Sequence, residues 1–231
     1  MSKPESDWYL LNSGLGEPAL NMAWDEALLE AAAQLGQRVF RSYGWTQPAA
    51  TFGYFQKHAE VERLTPLRPL IRRPTGGGLV PHDADWTYSV VVPPNDPWYR
   101  MSAVDSYRRM HEWIHEAFKA LSLPTDLSPC RQSDAPGQCF VGAERFDLLH
   151  EGRKLAGAAQ RRNRLGLLIQ GSIQPAPAGI PRGDWEQAMC NVLERDEAAS
   201  WTPLTPAPSL RQRAHEFAER KYSRPAYNNK R

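Results

Sequence analysis

Lys154 lies in GRKLAGAAQRR, where Gly152, Ala156, Gly157, Ala158 and Ala159 leave little bulk around a single amine. In a strand, Lys154 and Ala156 would share one face and Leu155 and Gly157 the other. A lysine facing a slot lined with such small residues can contact a bound carbonyl or phosphate, and desolvation would lower its pKa. A solvated strand lysine is the plain alternative. A second stretch, RRPTGGGLVPHDADWTYS from Arg72 to Ser89, removes three successive side chains at Gly76, Gly77 and Gly78, so a ligand can lie against backbone N–H groups. Leu79 and Val80 follow where a phosphate-binding P-loop needs Lys and Ser or Thr, so this is not a P-loop. Arg72, Arg73, His82 and Asp83 gather beside the glycines, and that set fits an anionic or carbonyl-bearing ligand; a glycine-rich turn between strands is the alternative. The third candidate is Cys139 in GQCFVG, either buried core or an accessible thiol whose thiolate a nearby ammonium would favour.

The elements that must position these residues follow from periodicity. NMAWDEALLEAAAQL reads as an amphipathic helix with Ala23, Ala27, Leu28, Ala31 and Ala32 on one face and Asn21 as its cap. Short strand-like runs QRVFRSY, AATFGYF, PLIRRPT and DWTYSVVVP come next. A second helix spans 104–121, with Tyr107, Met110, Ile114, Ala117, Phe118 and Leu121 in helical spacing. Its His111 and His115, four apart, read as solvated helix histidines. PTDLSPCRQSDAPGQC is a long loop ending at Cys139. RFDLLHEGRKLAGAAQRRNRLGLLIQGSIQ reads as antiparallel strands with tight turns at Glu151–Gly152 and from Asn163 to Gly166. A helix starting at Asp184 turns Trp185, Ala188, Met189, Val192 and Leu193 inward, a last helix covers 210–222, and RPAYNNKR is a frayed tail. Hairpin-linked strands outnumber helices, which predicts an α+β fold: a central mixed or mostly antiparallel sheet flanked by helices, not a parallel βαβ array. The whole, 1–231, is expected to be a single catalytic domain with 184–231 as a helical C-terminal segment.

Composition is that of a globular protein, with 41% hydrophobic and 10% aromatic residues over 231 positions. A formal net charge of +2 implies no polyanionic partner. No apolar run approaches the ~18 residues of a membrane span, and the start lacks the layout of a secretory signal. Cytoplasm is therefore the expected location. Cys130, Cys139 and Cys190 are too few and too scattered for a disulfide framework or a zinc site.

Taken together, four blocks in order resemble the lipoate–protein ligase and octanoyltransferase family, whose catalytic fold is shared with biotin–protein ligases. They are NMAWDEALLE, RSYGWTQPAATFGYFQ, RRPTGGGLVPHDADWTYS and GRKLAGAAQRRNRLGLLIQGSI, and the resemblance covers about residues 8–195. It implies an enzyme that attaches an eight-carbon acyl group, lipoyl or octanoyl, to one lysine of a carrier domain, either a 2-oxoacid dehydrogenase E2 or the glycine-cleavage H protein. Lys154 matches the family's essential lysine, which contacts the acyl carbonyl. Arg72, Arg73, Thr75 and Gly76–Gly78 match the loop lining the acyl site and, in ligases, the adenylate site; Gly157 and Ala158 continue the lysine motif, and Gly171–Ser172 match the strand closing the pocket. The G-R-G-R-x-x-R loop of biotin ligases is absent.

Two reaction types remain within that resemblance. Ligases use ATP, with Mg, to form an acyl-adenylate. Transferases take the acyl group from an acyl carrier protein thioester, in some branches through a cysteine acyl-enzyme, and need no cofactor. Cys139 lies 15 positions before Lys154, where the transferase branch carries its acyl-accepting cysteine, and only about 58 residues follow the last block, short for an extra ligase domain. Both favour transfer. Gly78, in contrast, is a third glycine as in ligases, Ile169 and Gln170 stand where a histidine is common, and Gln174 replaces an apolar residue. The reading is an acyltransferase with Cys139 as nucleophile, Lys154 orienting the carbonyl, backbone donors near Gly76–Gly78 or Gly157, and His82 as proton relay or structural hydrogen-bonder. Arg161, Arg162 and Arg164 would form a positive edge for an acidic carrier domain. A non-catalytic binding protein of the same fold is the rival from another class.

Overall fold

The computed structural model describes residues 6–131 and 142–230. Strand β1 (Ser6–Gly16) leads into helix α1 (Pro18–Leu35). Pro18 opens the helix, where a fixed φ helps and a missing N–H costs nothing; Gly36 closes it at φ 69, its N–H bonded to the Ala32 carbonyl. Asn21 is not the cap. It sits inside the first turn, buried, and its amide donates to the Gly16 and Gly44 carbonyls at 3.2 and 2.8 Å.

Strands β2 (Arg38–Trp45) and β3 (Ala49–Phe52), a short α2 (His58–Val61), β4 (Leu70–Arg72), β5 (Val80–His82) and β6 (Trp86–Val92) come next. Then follow α3 (Pro97–Arg100), α4 (Ala103–Ala120), β7 (Asp126–Leu127), β8 (Leu148–His150), β9 (Arg153–Asn163), β10 (Gly166–Ile173), α5 (Arg182–Glu197), β11 (Ala199–Pro203), α6 (Pro208–Phe217), a π-helical turn at Ala218–Tyr222 and α7 (Pro225–Asn228). The main sheet has the order β11-β1-β2-β6-β10-β9-β8-β7, and a second has β4-β3-β5. The pairs β11–β1 and β1–β2 are parallel and the rest of the large sheet is antiparallel, so the sheet is mixed, as its hairpins predict.

Period-two alternation decides which helices cover which face. Trp86, Tyr88, Val90, Leu167, Ile169 and Ile173 point into a core with Trp113 of α4 and Trp185 of α5. Val91, Leu168, Val39 and Leu11 point the other way, onto Leu28 and Ala32 of α1 and Leu210 of α6. The α1 face of β6 and β10 then changes character: beyond Val91 and Leu168 it carries Ser89, Thr87, Gln170 and Ser172, all buried.

Three further sequence expectations need correction. His111 is not solvated: its ring is fully buried against Tyr107, with centroids 4.3 Å apart, and Nδ1 meets the Tyr107 carbonyl. The C-terminal segment is not helical throughout, because β11 extends the large sheet. The tail is not frayed: Asn228 is buried, its Oδ1 accepts from the Arg72 N–H at 2.9 Å, and its Nδ2 donates to the Tyr222 carbonyl at 2.8 Å. Among the described residues no helix is long and apolar enough to cross a membrane.

Candidate active site

The hairpin turn at Glu151–Gly152, both at positive φ (50 and 74), returns the chain from β8 into β9. Leu149 pairs with Lys154 but Leu148 pairs with Ala156, so one extra residue is accommodated in β9. This bulge breaks the alternation. Leu155 and Ala156 both enter the core, and Lys154 comes onto the face of Gly157 rather than that of Ala156. Its Nζ lies 2.7 Å from Oδ2 of Asp147, with the two side chains 7% and 0% exposed. The same carboxylate accepts from the Glu144 N–H at 2.6 Å and, on Oδ1, from the Tyr107 hydroxyl, which in turn accepts from the Ala158 N–H at 3.3 Å.

Lys154 closes one side of a narrow slot with about 440 Å³ of empty space, its mouth included. Gly157, Ala158, Ala159 and Gly171 keep one wall thin; Met22, Tyr43 and Val80 give it apolar surface, and Arg73, His82 and Ser172 also reach it. On its other side Lys154 borders an open cleft together with Gly142, Ala143 and Gln174. The chain leaving Ser128 is tied to the chain returning at Phe146 and Asp147 by two backbone hydrogen bonds of 2.8 Å, which fix the two ends of the stretch between them. Cys139 falls in that stretch and lies outside the described residues. Of the other thiols, Cys130 is exposed and Cys190 is buried, its pKa pushed up to about 12 by burial and then by Glu194 and Glu186.

Two buried polar clusters stiffen the walls. Asp25 of α1 pairs with Arg41 at 2.6 Å and accepts from Tyr43, Ser89 and Gln170. Gln170, in turn, accepts from the Thr75 hydroxyl at 2.7 Å. Burial, and after it the Asp25 charge, holds the Tyr43 hydroxyl well above its usual pKa, so it stays neutral and donates. Asp85 takes hydrogen bonds from Thr87 and Ser172 and faces Nδ1 of His82 at 2.9 Å. His82 is stacked on Trp45 at 4.0 Å, and its Nε2 meets the Thr51 hydroxyl, so its contacts are with side chains rather than with backbone.

The sequence candidates therefore divide. Arg73, His82, Lys154, Gly157, Ala158, Gly171 and Ser172 converge on the slot. Thr75 stands one step behind, through Gln170. Gly76, Gly77 and Gly78 form a loop that is not part of the slot's lining: the Gly76 carbonyl accepts from Arg73 at 2.6 Å, and a side chain on Gly53 would overlap the Gly77 carbonyl. Arg72 is directed away from the slot. Its guanidinium donates to the carbonyls of Tyr54, Gln56 and Asn228 at 2.7, 2.7 and 2.8 Å. Arg161 and Arg162 are half-buried and engaged with Glu26 and Ser106, which leaves Arg164 as the exposed member of the expected basic edge.

Sequence reasoning missed Asp147, Tyr107, Asp25 and Asp85. For the walls a signal existed: Thr87 and Ser89, like Gln170 and Ser172, are polar residues at period two in strands otherwise wholly apolar. Among the described residues no group of three or more His, Cys, Asp or Glu side chains could hold a metal ion.

Comparison with known proteins gives one consistent answer. Residues 17–177 match the lipoyl protein ligase A/B catalytic domain. The octanoyltransferase LipM of Geobacillus kaustophilus is 36% identical over 183 residues, which is 72% of this chain and 64% of that protein. That of Staphylococcus aureus is 34% identical over 180 residues, 72% of this chain and 65% of its own. The chain thus spans just under two thirds of the length of these curated relatives. Among solved structures, lipoate-protein ligase A bound with ATP superposes with a TM-score of 0.78 at 19% identity, covering 97% of this chain and 98% of that one. A bi-partite lipoate protein ligase system from Thermoplasma acidophilum gives 0.74 at 19% identity, over 97% and 96%; at such identities the likeness is one of fold. The matched region contains α1, the glycine block, the bulged strand bearing Lys154 and the residues that line the slot, and by it the chain belongs to the lipoyl protein ligase A/B catalytic-domain family of lipoate–protein ligases and octanoyltransferases.

Proposed function

We propose that this chain is, in a single catalytic domain, a cytoplasmic acyltransferase. It moves an octanoyl or lipoyl group from a thioester, with octanoyl-acyl carrier protein as donor, onto one lysine of a lipoyl carrier domain (2-oxoacid dehydrogenase E2 or H protein). The observation that carries this is Lys154: a buried cation at the side of a slot whose glycine and alanine wall admits a thin carbon chain. Sequence relatives named octanoyltransferases support the reaction type.

In this reading the thiolate of Cys139, three residues before Gly142 of the adjoining cleft, attacks the donor carbonyl carbon. The new C–S bond replaces the old one, and the donor thiol departs. The carrier's neutral amine then attacks the acyl-enzyme, an amide forms, and the cysteine leaves with the proton the amine gives up. Lys154 faces the carbonyl oxygen, where negative charge develops in both steps, and a fixed cation in a dry slot stabilises that charge without reorganising. No cofactor is needed for either step.

The test incubates the protein and an apo carrier domain with octanoyl-acyl carrier protein, without ATP. Octanoylation of the carrier that Cys139→Ser abolishes is the expected result; modification that survives Cys139→Ser refutes the cysteine role. Gly78, the third glycine shared with ligases, favours one second reading, an ATP-dependent ligase acting through lipoyl-AMP, perceptible as modification only with free acid, ATP and Mg. Loss of transfer in a folded Lys154→Ala variant excludes a non-catalytic binding role.

A further inference from the structure

Two cavities meet at Lys154. Among the described residues it is the one that lines both the slot and the open cleft beside it. We propose that the cleft receives the thiol arm of the acyl donor, and that Gln174 recognises this arm by accepting from an amide N–H two methylenes away from the sulfur. Pantetheine, the arm of both acyl carrier protein and coenzyme A, has its first amide at that distance. The inference rests on the acyltransferase reading: with the acyl chain in the slot and its carbonyl at Lys154, whatever the carbonyl carbon bears on its other side projects into the cleft. Gln174 stands where an apolar residue is expected, and a polar ligand gives that departure a task.

The neighbours of Gln174 fix the direction of its amide. The Ser172 hydroxyl donates to Asp85 at 2.6 Å, so Ser172 Oγ has only lone pairs left to offer, and Gln174 faces it with Nε2 at 3.1 Å. The Pro81 carbonyl, which can only accept, draws the same nitrogen at 3.5 Å. Oε1 is thereby turned away from both and meets no donor among the described residues. The side chain is half-buried and lines the cleft, so this oxygen is an acceptor waiting for a ligand's N–H. The spacing fits the arm. The tip of Lys154 hangs over Gly157, where a Cβ would come within 2.7 Å of Nζ, and Gly157 pairs with Ser172. Gln174 lies two residues further along, its own N–H donating to the Leu155 carbonyl at 2.8 Å. Two strand residues cover ~7 Å. In a pantetheine thioester the amide nitrogen is four bonds from the carbonyl carbon, on the order of 5 Å when extended, and a hydrogen bond covers the remainder. Leu149 and Pro175 offer apolar surface to the two methylenes. The acceptor's lysine arm, which enters the same cleft in the second step, has methylenes alone before its amine, so Gln174 selects the donor and not the acceptor.

The test measures binding by titration calorimetry, using two octanoyl ketones in which a methylene replaces the thioester sulfur, so that no acyl group can leave. One carries the first amide of pantetheine, capped with an acetyl group; the other has an ester oxygen in place of that N–H. The wild type is expected to favour the amide over the ester, and Gln174→Met to lose that preference. Dividing the affinity ratio of the wild type by that of the variant cancels the different hydration of amide and ester, and the quotient is expected to be about three- to tenfold, the worth of one neutral hydrogen bond. Gln174→Leu is the second apolar variant should Met fail to fold by circular dichroism. A quotient of one overturns the proposal, as does a wild type that binds neither ketone. A merely structural role for Gln174 would weaken both ketones alike and so also give a quotient of one. A parallel arm offers octanoyl-acyl carrier protein or octanoyl-coenzyme A together with an apo carrier domain. Transfer from one alone tells which molecule bears the arm, and transfer from neither refutes the acyltransferase reading, while the ketones still decide the role of Gln174.

Discussion

Gly157→Ala is the substitution that most directly probes the position of Lys154. A methyl group at 157 would lie 2.6 Å from Cε and 2.7 Å from Nζ of Lys154, and 3.2 Å from Oδ1 of Asp147. Non-bonded carbon atoms rest at about 3.5–4.0 Å, so the lysine tip must retreat by roughly 1 Å. It can do so, because the clashing atoms are the far end of a flexible chain. The fold therefore absorbs the methyl, the ion pair stretches without being abolished, and the unfolding free energy falls by no more than ~2 kcal/mol, less than the 3–5 of a fully broken buried pair. The reaction does not absorb it: a misplacement of ~1 Å at a catalytic group costs on the order of a hundredfold in rate. The assay is octanoyl transfer to an apo carrier domain under saturating donor, beside urea unfolding of the same sample. Gly183→Ala is the matched control, since a Cβ there meets open space near the start of α5 and stabilises by about 0.4–1 kcal/mol with transfer unchanged. Wild-type transfer by a folded Gly157→Ala would show that the place of the ammonium does not matter, and would sink the reading of the slot.

The other expectations concern the frame around the lysine. Gly171→Ala puts a methyl into the ring of Tyr88, which is fully buried between Phe40 and Trp185 and cannot yield, so the denaturant midpoint should drop by an amount worth about 1–3 kcal/mol. Arg72→Ala removes charge-assisted bonds to the carbonyls of Tyr54, Gln56 and Asn228; a loss of ~3 kcal/mol or more is expected, with faster tryptic cleavage after Arg220 and Lys221 as the tail detaches. For Asp85, burial pushes the carboxyl up, but the His82 charge and hydrogen bonds from His82, Ser172 and Thr87 outweigh it and hold it below its ordinary value. A group depressed on folding contributes fully above the unfolded carboxylate value of ~4, and that contribution is lost as pH falls through the folded value. Asp85→Asn should accordingly be less stable at pH 6 and lose stability less steeply below about pH 4; an acid limb as steep as in the wild type refutes the assignment.

Much of the frame was legible because it depends on local pattern. The helices around Ala27 and Ile114 bury the faces their spacing predicts, and the turn at Glu151–Gly152 closes a hairpin in both readings. What escaped depends on partners far apart in sequence. Asn21 looks like a cap from its neighbours alone, yet the Gly44 carbonyl and the Arg41 guanidinium claim its amide inside the helix. RPAYNNKR has the composition of a loose end, and nothing local indicates that Arg72 will hold it by the carbonyls of Tyr227 and Asn228. The glycine block reads as a ligand cradle in the sequence; its Gly77 carbonyl also fills the place that a Cβ on Gly53 would need, a packing partner that nothing local to Gly53 indicates.

The lysine site itself turns on one residue of register. Strict alternation would have put Lys154 on the face of Ala156, toward the core of α4 and α5, where no partner for its charge was foreseen. The bulge at Leu155 returns it to the face of Gly157, Gln170 and Ser172, which is the polar face, and there it meets Asp147. The same face holds the Arg41–Asp25 pair and the His82–Asp85 contact, each supported by hydroxyl or amide donors from β6 and β10. Buried ion pairs are weak sources of stability, since their desolvation offsets most of their attraction. Three carboxylates gathered along one slot are therefore better understood by what they hold in place than by what they add to the fold. Asp25 and Asp85 fix the walls, and Asp147 fixes Lys154, the cation proposed to meet the carbonyl of an acyl chain.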